Sequence, residues 1–306
     1  MTIVAGIAPG KPDVDGLSYA ALLARSLRTR LRVVCVVPGP WPTPLSGGVD
    51  REYAAYLADA ASEEVPAVRS LLAELAPDLE AAGVTAEVVR AVGRSVPGTL
   101  LEQVAAADAT LVVLGAGANG AWGHVVVGSA ADRLLHSSPV PVAVATRGFR
   151  AAPGTRVGRV TVGFRGDQAS AAALARAAGL CTELGATLRV ATFGVLGRTM
   201  YPPEVRGEDD VLEAYLEQAT AAQAAALALL PADAVPAEVE RVVSRGRDWA
   251  EAVGGLPWTP EDLLVVGSSS AGLLSRVFLG SSAAKILRHS PVPVVVVPRA
   301  SWRPRV

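Results

Sequence analysis

Two loops in this chain carry the residues best suited to hold a charged ligand. Gly115 precedes Gly128-Ser129 by the same interval at which Gly267 precedes Gly280-Ser281-Ser282, so a Gly-x12-Gly-Ser pattern occurs twice. Each late glycine opens a run with helical spacing. Free backbone N–H groups at a helix start, together with the macrodipole, attract an anion. Glycine lets a phosphate approach the backbone, and serine hydroxyls add donors. The same serines also have a purely structural reading, because Ser129 and Ser281 are good N-cap residues. Arg276, in the second loop, is placed to neutralise a phosphate or to do nothing beyond facing solvent.

Other chemistries lack their residues. Gly115-Ala-Gly117-Ala-Asn-Gly120 satisfies GxGxxG. In a dinucleotide fold that fingerprint follows the first strand and needs an acid about 20 residues on. Here it follows the fourth strand, and the nearest downstream acid, Asp132, lies on the wrong helix. Neither GxSxG nor GxxxxGK[ST] occurs, so serine-hydrolase and P-loop readings have no nucleophile or phosphate loop. His124, His136 and His289 are far apart in sequence without metal-ligand spacing. His136 and His289 read as complements to a helix C-terminus, and His124 as a loop residue.

The elements that position these loops repeat. Residues 111–144 align with 263–296 without a gap, pairing Gly115 with Gly267, Gly128 with Gly280 and Pro139 with Pro291. Ile3-Val-Ala-Gly-Ile matches Val160-Thr-Val-Gly-Phe, and Leu31-Arg-Val-Val-Cys-Val-Val matches Leu188-Arg-Val-Ala-Thr-Phe. Two copies of one domain follow, at 1–150 and 151–306, joined across the Gly- and Pro-punctuated stretch 147–159. The first copy reads as strands at 2–7, 31–37, 84–90, 110–114 and 140–145, with helices at 16–29, 50–82, 95–107 and 128–137. The second gives strands near 159–164, 186–193, 237–243, 262–266 and 292–297, and a long helix at 209–230 whose acids, Glu208-Asp209-Asp210, suit its start. Apolar strands alternating with helices imply two tandem α/β domains, each a doubly wound five-stranded parallel sheet. Ligands of such sheets sit beyond the carboxyl ends of the strands. The last strands, Val140-Pro-Val-Ala-Val-Ala and Val292-Pro-Val-Val-Val-Val, are too apolar to stay open edges, so the copies are expected to pair through them.

Composition bounds the rest. The chain has 306 residues, 51% of them apolar, and a formal net charge of −1, which excludes a disordered chain and gives no general attraction to nucleic acid or an anionic membrane. Mean hydropathy is +0.36, yet the richest apolar window, 219–230, falls short of the ~20 residues of a membrane span. The start, Met1-Thr-Ile-Val-Ala-Gly, reads as a strand rather than a signal peptide. Cys35 and Cys181 lack CxxC spacing and read as buried thiols of a cytoplasmic protein. Two lysines against 26 arginines read as composition bias.

The twin glycine loops, the helix after each and the Ser-Pro-Val-Pro-Val ending resemble the universal stress protein family over nearly the whole chain. That family carries Gly-x2-Gly-x9-Gly-Ser/Thr after strand four. The resemblance implies a flavodoxin-like, adenine nucleotide alpha hydrolase-like fold, pairing through the fifth strand, and a stress-response regulator or sensor. Many single-domain members bind ATP. Carried over residue by residue, the first motif glycine falls on Gly115 and Gly267, and the late pair on Gly128-Ser129 and Gly280-Ser281, followed by Ser282. The family's adenine contact at the end of strand two falls on Val36 and Phe193. The implied ligand is ATP or another adenine nucleotide, with or without Mg²⁺.

The chain departs from the pattern in places. Ala118 and Ser270 stand at the second motif glycine. Ala8 and Arg165 stand where nucleotide-binding members place an Asp after strand one. Asp13 or Asp15 could substitute in the first copy; in the second, Asp167 lies two residues late and Arg165 could meet a phosphate. Trp41, in a proline-rich loop, could lid the first pocket or pack on the other copy. Two function classes follow. One is a nucleotide-binding regulator with little or no hydrolysis, since no general base or metal cluster is apparent. The other is a nucleotide-free interaction module with an unidentified regulatory protein partner, whether or not two chains pair on top of the internal pseudo-dimer. An enzyme of the related hydrolase-like group has no named catalytic residue to stand on.

Overall fold

The computed structural model describes residues 1–7, 13–38, 48–117, 121–195, 208–268, 277 and 279–298. In the first copy β1 (Thr2–Ile7), α1 (Val14–Leu27), β2 (Arg30–Pro38), α2 (Gly48–Ala81), β3 (Ala86–Gly93), α3 (Val96–Ala106), β4 (Leu111–Leu114), α4 (Ser129–Leu134) and β5 (Val142–Val144) follow in order. The second copy repeats them as β6 (Arg159–Gly163), α5 (Gln168–Leu184), β7 (Thr187–Val195), α6 (Glu208–Ala228), β8 (Val239–Gly246), α7 (Trp249–Gly254), β9 (Asp262–Gly267), α8 (Ser281–His289) and β10 (Val294–Val297). Among the described residues the strands form one sheet in the order β3-β2-β1-β4-β5-β10-β9-β6-β7-β8.

Every pairing within a copy is parallel, and the seam is antiparallel, with Val142 opposite Val296, Ala143 opposite Val295 and Val144 opposite Val294. The two apolar last strands therefore cover each other's edges. Two core layers lie on the two faces of this sheet. One, on the α1, α2 and α5 side, holds Leu23, Leu79, Val113, Ala143, Leu174 and Val295. The other, on the α3, α4, α7 and α8 side, holds Leu100, Leu134, Val144, Val253, Leu287 and Val294.

The structure shifts some expected boundaries. β3 and β8 begin two residues later and end three later than the apolar runs suggest. They are the outer strands, exposed on one edge, and carry Glu87, Arg90, Glu240 and Arg241, so the buried-strand pattern fades there. β5 and β10 are shorter than expected because Pro141 and Pro293 cannot donate to the ladder. Before each, a fully buried serine takes over: Ser138 Oγ donates to the Val140 carbonyl (2.7 Å), and Ser290 Oγ to that of Val292 (2.6 Å). Cys35 and Cys181 are buried thiols in no disulfide, and burial pushes the Cys181 thiol up to about 12. Among the described residues no helix is long and apolar enough to cross a membrane.

The stretch between the copies runs along α1. Gly148 and Arg150 donate to the Asp15 carboxylate, Phe149 meets the Tyr19 ring edge-on at 5.4 Å, and Val157 N donates to Ser26 Oγ (3.0 Å). Arg25, 4% exposed, anchors its far end by donating to Asp78 Oδ2 (2.8 Å) and to the Thr155 carbonyl (2.7 Å). Arg25→Met should cost about 2–3 kcal/mol, below the 3–5 of a fully buried pair because Asp78 is partly solvated. Guanidinium unfolding at constant m-value measures it, and a loss under about 0.5 kcal/mol, the scale of an ordinary surface substitution, would refute this role.

Candidate functional site

At the carboxyl ends of β6, β7 and β9 the sheet opens into a cleft of about 120 Å³, closed on one side by the start of α8. Gly280 is the N-cap of α8, in extended backbone, and no side-chain hydrogen bond caps the helix. Ser281 and Ser282 are its first two residues. The expectation that Ser129 and Ser281 act as caps is thus corrected: glycine holds the cap position in both copies, and the serines lie one residue inside. The first intrahelical bond there is Ala284 N to the Gly280 carbonyl (2.8 Å), so the earlier N–H groups have no acceptor within the helix. Arg288 and His289 occupy the last turn, where cations complement the dipole.

Charged groups cluster on the β6–β9 side of the cleft. Arg165, just past β6, donates from Nη1 to Ser282 Oγ (3.0 Å) and from Nε to Asp167 Oδ2 (3.0 Å), with Nη2 closing a second bond to the same carboxylate. Asp167 is the N-cap of α5, accepting from Ser170 N (2.9 Å) at Oδ1 in a reciprocal capping box. Burial pushes its carboxyl up, but the bonds from Arg165 and Ser170 together hold it below the usual carboxylate range. The β7 side is aromatic: Phe193, Tyr215 from α6 and Trp249 from α7 line it, and Lys285 sits 5.6 Å from the Trp249 ring centroid.

Gly267, Gly280, Ser281, Ser282 and Phe193 thus line one cleft. Gly267 also has a packing reason to be glycine: a Cβ there would stand 2.7 Å from the Ala169 carbonyl of α5.

The first copy is arranged differently. Gly115 lies against the Asp13 side chain, and a Cβ on it would fall 1.9 Å from both carboxylate oxygens. Asp13 is the N-cap of α1, accepting from Gly16 N (3.0 Å). Gly117 approaches the start of α4 so closely that a Cβ would sit 3.2 Å from Gly128 N. Residues 123–125 are tied to the inter-copy stretch by Gly123 N to the Arg147 carbonyl (2.9 Å), Arg147 N to that of His124 (2.9 Å) and a Val125–Thr146 bridge. Val36 is 2% exposed in the core layer with Leu100 and Leu134, Ser129 is exposed, and Asp15 is engaged by Gly148 and Arg150. Ala8, Trp41, Ala118, Ser270 and Arg276 lie outside the described residues.

Burial raises the Asp13 carboxyl above its usual range, opposed by the bonds from Gly16 and Gly115. An acid whose folded pKa is raised binds its proton more tightly in the folded state. Its penalty is therefore present at neutral pH and fades as pH falls through the folded pKa towards ~3.9. Asp13→Asn keeps a good cap and removes that penalty. It should melt higher than the parent at pH 7, with the difference closing towards pH 4. A pH-independent difference, or a less stable variant at pH 7, would contradict this.

Sequence reading alone passes over Ser268, Thr192, Tyr215 and Trp249, all of which line the second-copy cleft. A signal was available in the repeat itself. Aligned, the copies place Ser268 over Ala116, Ser282 over Ala130 and Phe193 over Val36, so the second copy holds hydroxyls and a ring where the first holds methyls. Among the described residues no group of three or more His, Cys, Asp or Glu is placed to hold a metal.

Comparison with known proteins agrees with the fold. The model of the universal stress protein family matches residues 1–146 and 157–298. Universal stress proteins of Mycobacterium bovis and Mycobacterium tuberculosis are each 39% identical over 301 residues, covering 97% of this chain and all of theirs. The crystal structure of a universal stress protein from Archaeoglobus fulgidus superposes with a TM-score of 0.59 at 18% identity, over 98% of both chains, a likeness of fold. With both copies matched and full-length relatives at this identity, the chain belongs to the universal stress protein family.

Proposed function

We propose that this protein is a stress-response regulator that binds one adenine nucleotide, in its second copy, and releases it unchanged or hydrolyses it only slowly. Family membership supports the stress-response role. The observation that carries the ligand reading is the second-copy cleft, whose lining combines uncapped helix N–H groups and serine hydroxyls with the aromatic residues Phe193, Tyr215 and Trp249. Phosphates would meet Ser281 and Ser282, and the base would lie towards Phe193, Tyr215 and Trp249. Isothermal calorimetry with ATP and with AMP, each with and without Mg²⁺, tests it. Saturable binding at or below millimolar ligand is expected, and no heat with any of the four titrants would reject the reading.

A nucleotide-free interaction module is favoured by one observation. Trp122 is 72% exposed, with Arg147 5.6 Å from its ring centroid, the kind of pair that anchors protein contacts.

A further inference from the structure

The cleft holds two groups that its family resemblance does not assign. Arg165 stands where nucleotide-binding members carry an acid, and its guanidinium spans from Asp167 to Ser282 at the first turn of α8. Ser268 is 1% exposed and lines the same cleft, and its Oγ has no hydrogen-bond partner among the described residues. A buried hydroxyl without a partner is destabilising, and a ligand atom within reach would relieve it. A cation, a buried hydroxyl without a partner among the described residues and the start of a nine-residue helix therefore line one cleft.

We propose that Arg165 and Ser268 make this cleft a reader of the ligand's anion rather than of its ribose. The phosphate of a phosphate monoester is clasped between the Arg165 guanidinium and the N–H groups of Ser281 and Ser282, and Ser268 bonds the same ligand from the floor. This rests on the reading of the second-copy cleft as the ligand site. The rearrangement it asks of the protein is small. Asp167 caps α5 through Oδ1 and meets Arg165 Nε through Oδ2, so Arg165 can turn to a phosphate while the cap stays intact. Arg165 stands at the position of the family's acid, and the carboxylate the cleft does hold, Asp167, is engaged by Ser170 N and Arg165. The site's selectivity follows charge, and its affinity falls with added salt.

The test is calorimetry of the full chain with AMP, adenosine and inorganic phosphate, on the parent, Arg165→Gln, Arg165→Lys and Ser268→Ala. The parent should bind AMP at least about 10-fold more tightly than adenosine, the scale of one charged hydrogen-bond pair. Arg165→Gln should lose that preference, weakening AMP at least about 10-fold more than adenosine, and Arg165→Lys should restore part of it. Ser268→Ala should weaken AMP about 3–10-fold while the Tm of the unliganded chain rises, since the substitution removes a buried hydroxyl without a partner. Equal weakening of AMP and adenosine in Arg165→Gln, or no weakening of AMP, would overturn the proposal. If neither AMP nor adenosine binds, the nucleotide reading falls by itself, and inorganic phosphate then decides the anion site. Amide shifts of Ser281 and Ser282 on phosphate titration, abolished in Arg165→Gln, uphold it; their absence in the parent overturns it.

Discussion

Val144→Asp should leave little folded protein at neutral pH. Val144 is fully buried at the seam, directly opposite Val294, with the second core layer packed on both. Among the described residues of that apolar layer a carboxylate there has no cation to pair with. The effective cost of burying an unpaired charge is several kcal/mol, and the lost valine packing adds to it, so about 5 kcal/mol or more is expected. Domains of this kind have roughly 5–15 kcal/mol of stability in all. Val144→Thr keeps the shape and buries only a hydroxyl, so it should lose about 1–3 kcal/mol. Circular dichroism and urea unfolding of the three chains measure the series. Because a neutral carboxyl is cheaper to bury, Val144→Asp should regain helical signal as pH is lowered towards 4. Full stability of Val144→Asp at pH 7 would mean that the antiparallel seam is not where the two copies meet.

Ser281→Asp should abolish ligand binding without harming the fold. A carboxylate at the first position of α8 lies where the ligand's phosphate would lie, and repels it. The same charge favours the helix N-terminus by about 0.3–1 kcal/mol, so Tm should hold or rise slightly. Loss of affinity by about 100-fold or more is expected, since an attractive anion contact becomes a like-charge one. Ser129→Asp is the matched change in the first copy. There Gly115 lies against the Asp13 carboxylate and Gly117 against Gly128, so the substitution should leave ligand affinity unchanged. The reverse pattern would move the site to the first copy.

Much of the architecture is legible in the chain because the two copies state it twice. The gap-free match of 111–144 with 263–296 sets the strand-four loops, the helices after them and the apolar last strands in register, and the pairing of those strands follows from their lack of charge. What escapes sequence reading is local. The cap of each loop helix is a glycine in the extended backbone typical of N-caps, at a position that cap preferences assign to the neighbouring serine. Arg165 reaches Ser282 across 117 residues, and no spacing rule reports such a contact. Tyr215 and Trp249 enter the cleft from helices whose amphipathic pattern reads only as packing. The first-copy loop differs in that Asp13 lies against Gly115, a contact set by the first turn of α1 folding over the end of β4.

On the proposed function, the second copy alone would hold a nucleotide. Equilibrium dialysis against saturating labelled AMP, with bound ligand counted per chain, tests it most directly on the parent and on Ser281→Asp. One nucleotide per parent chain and none on Ser281→Asp is the expected result. Two per parent chain, or one retained by Ser281→Asp, would contradict it.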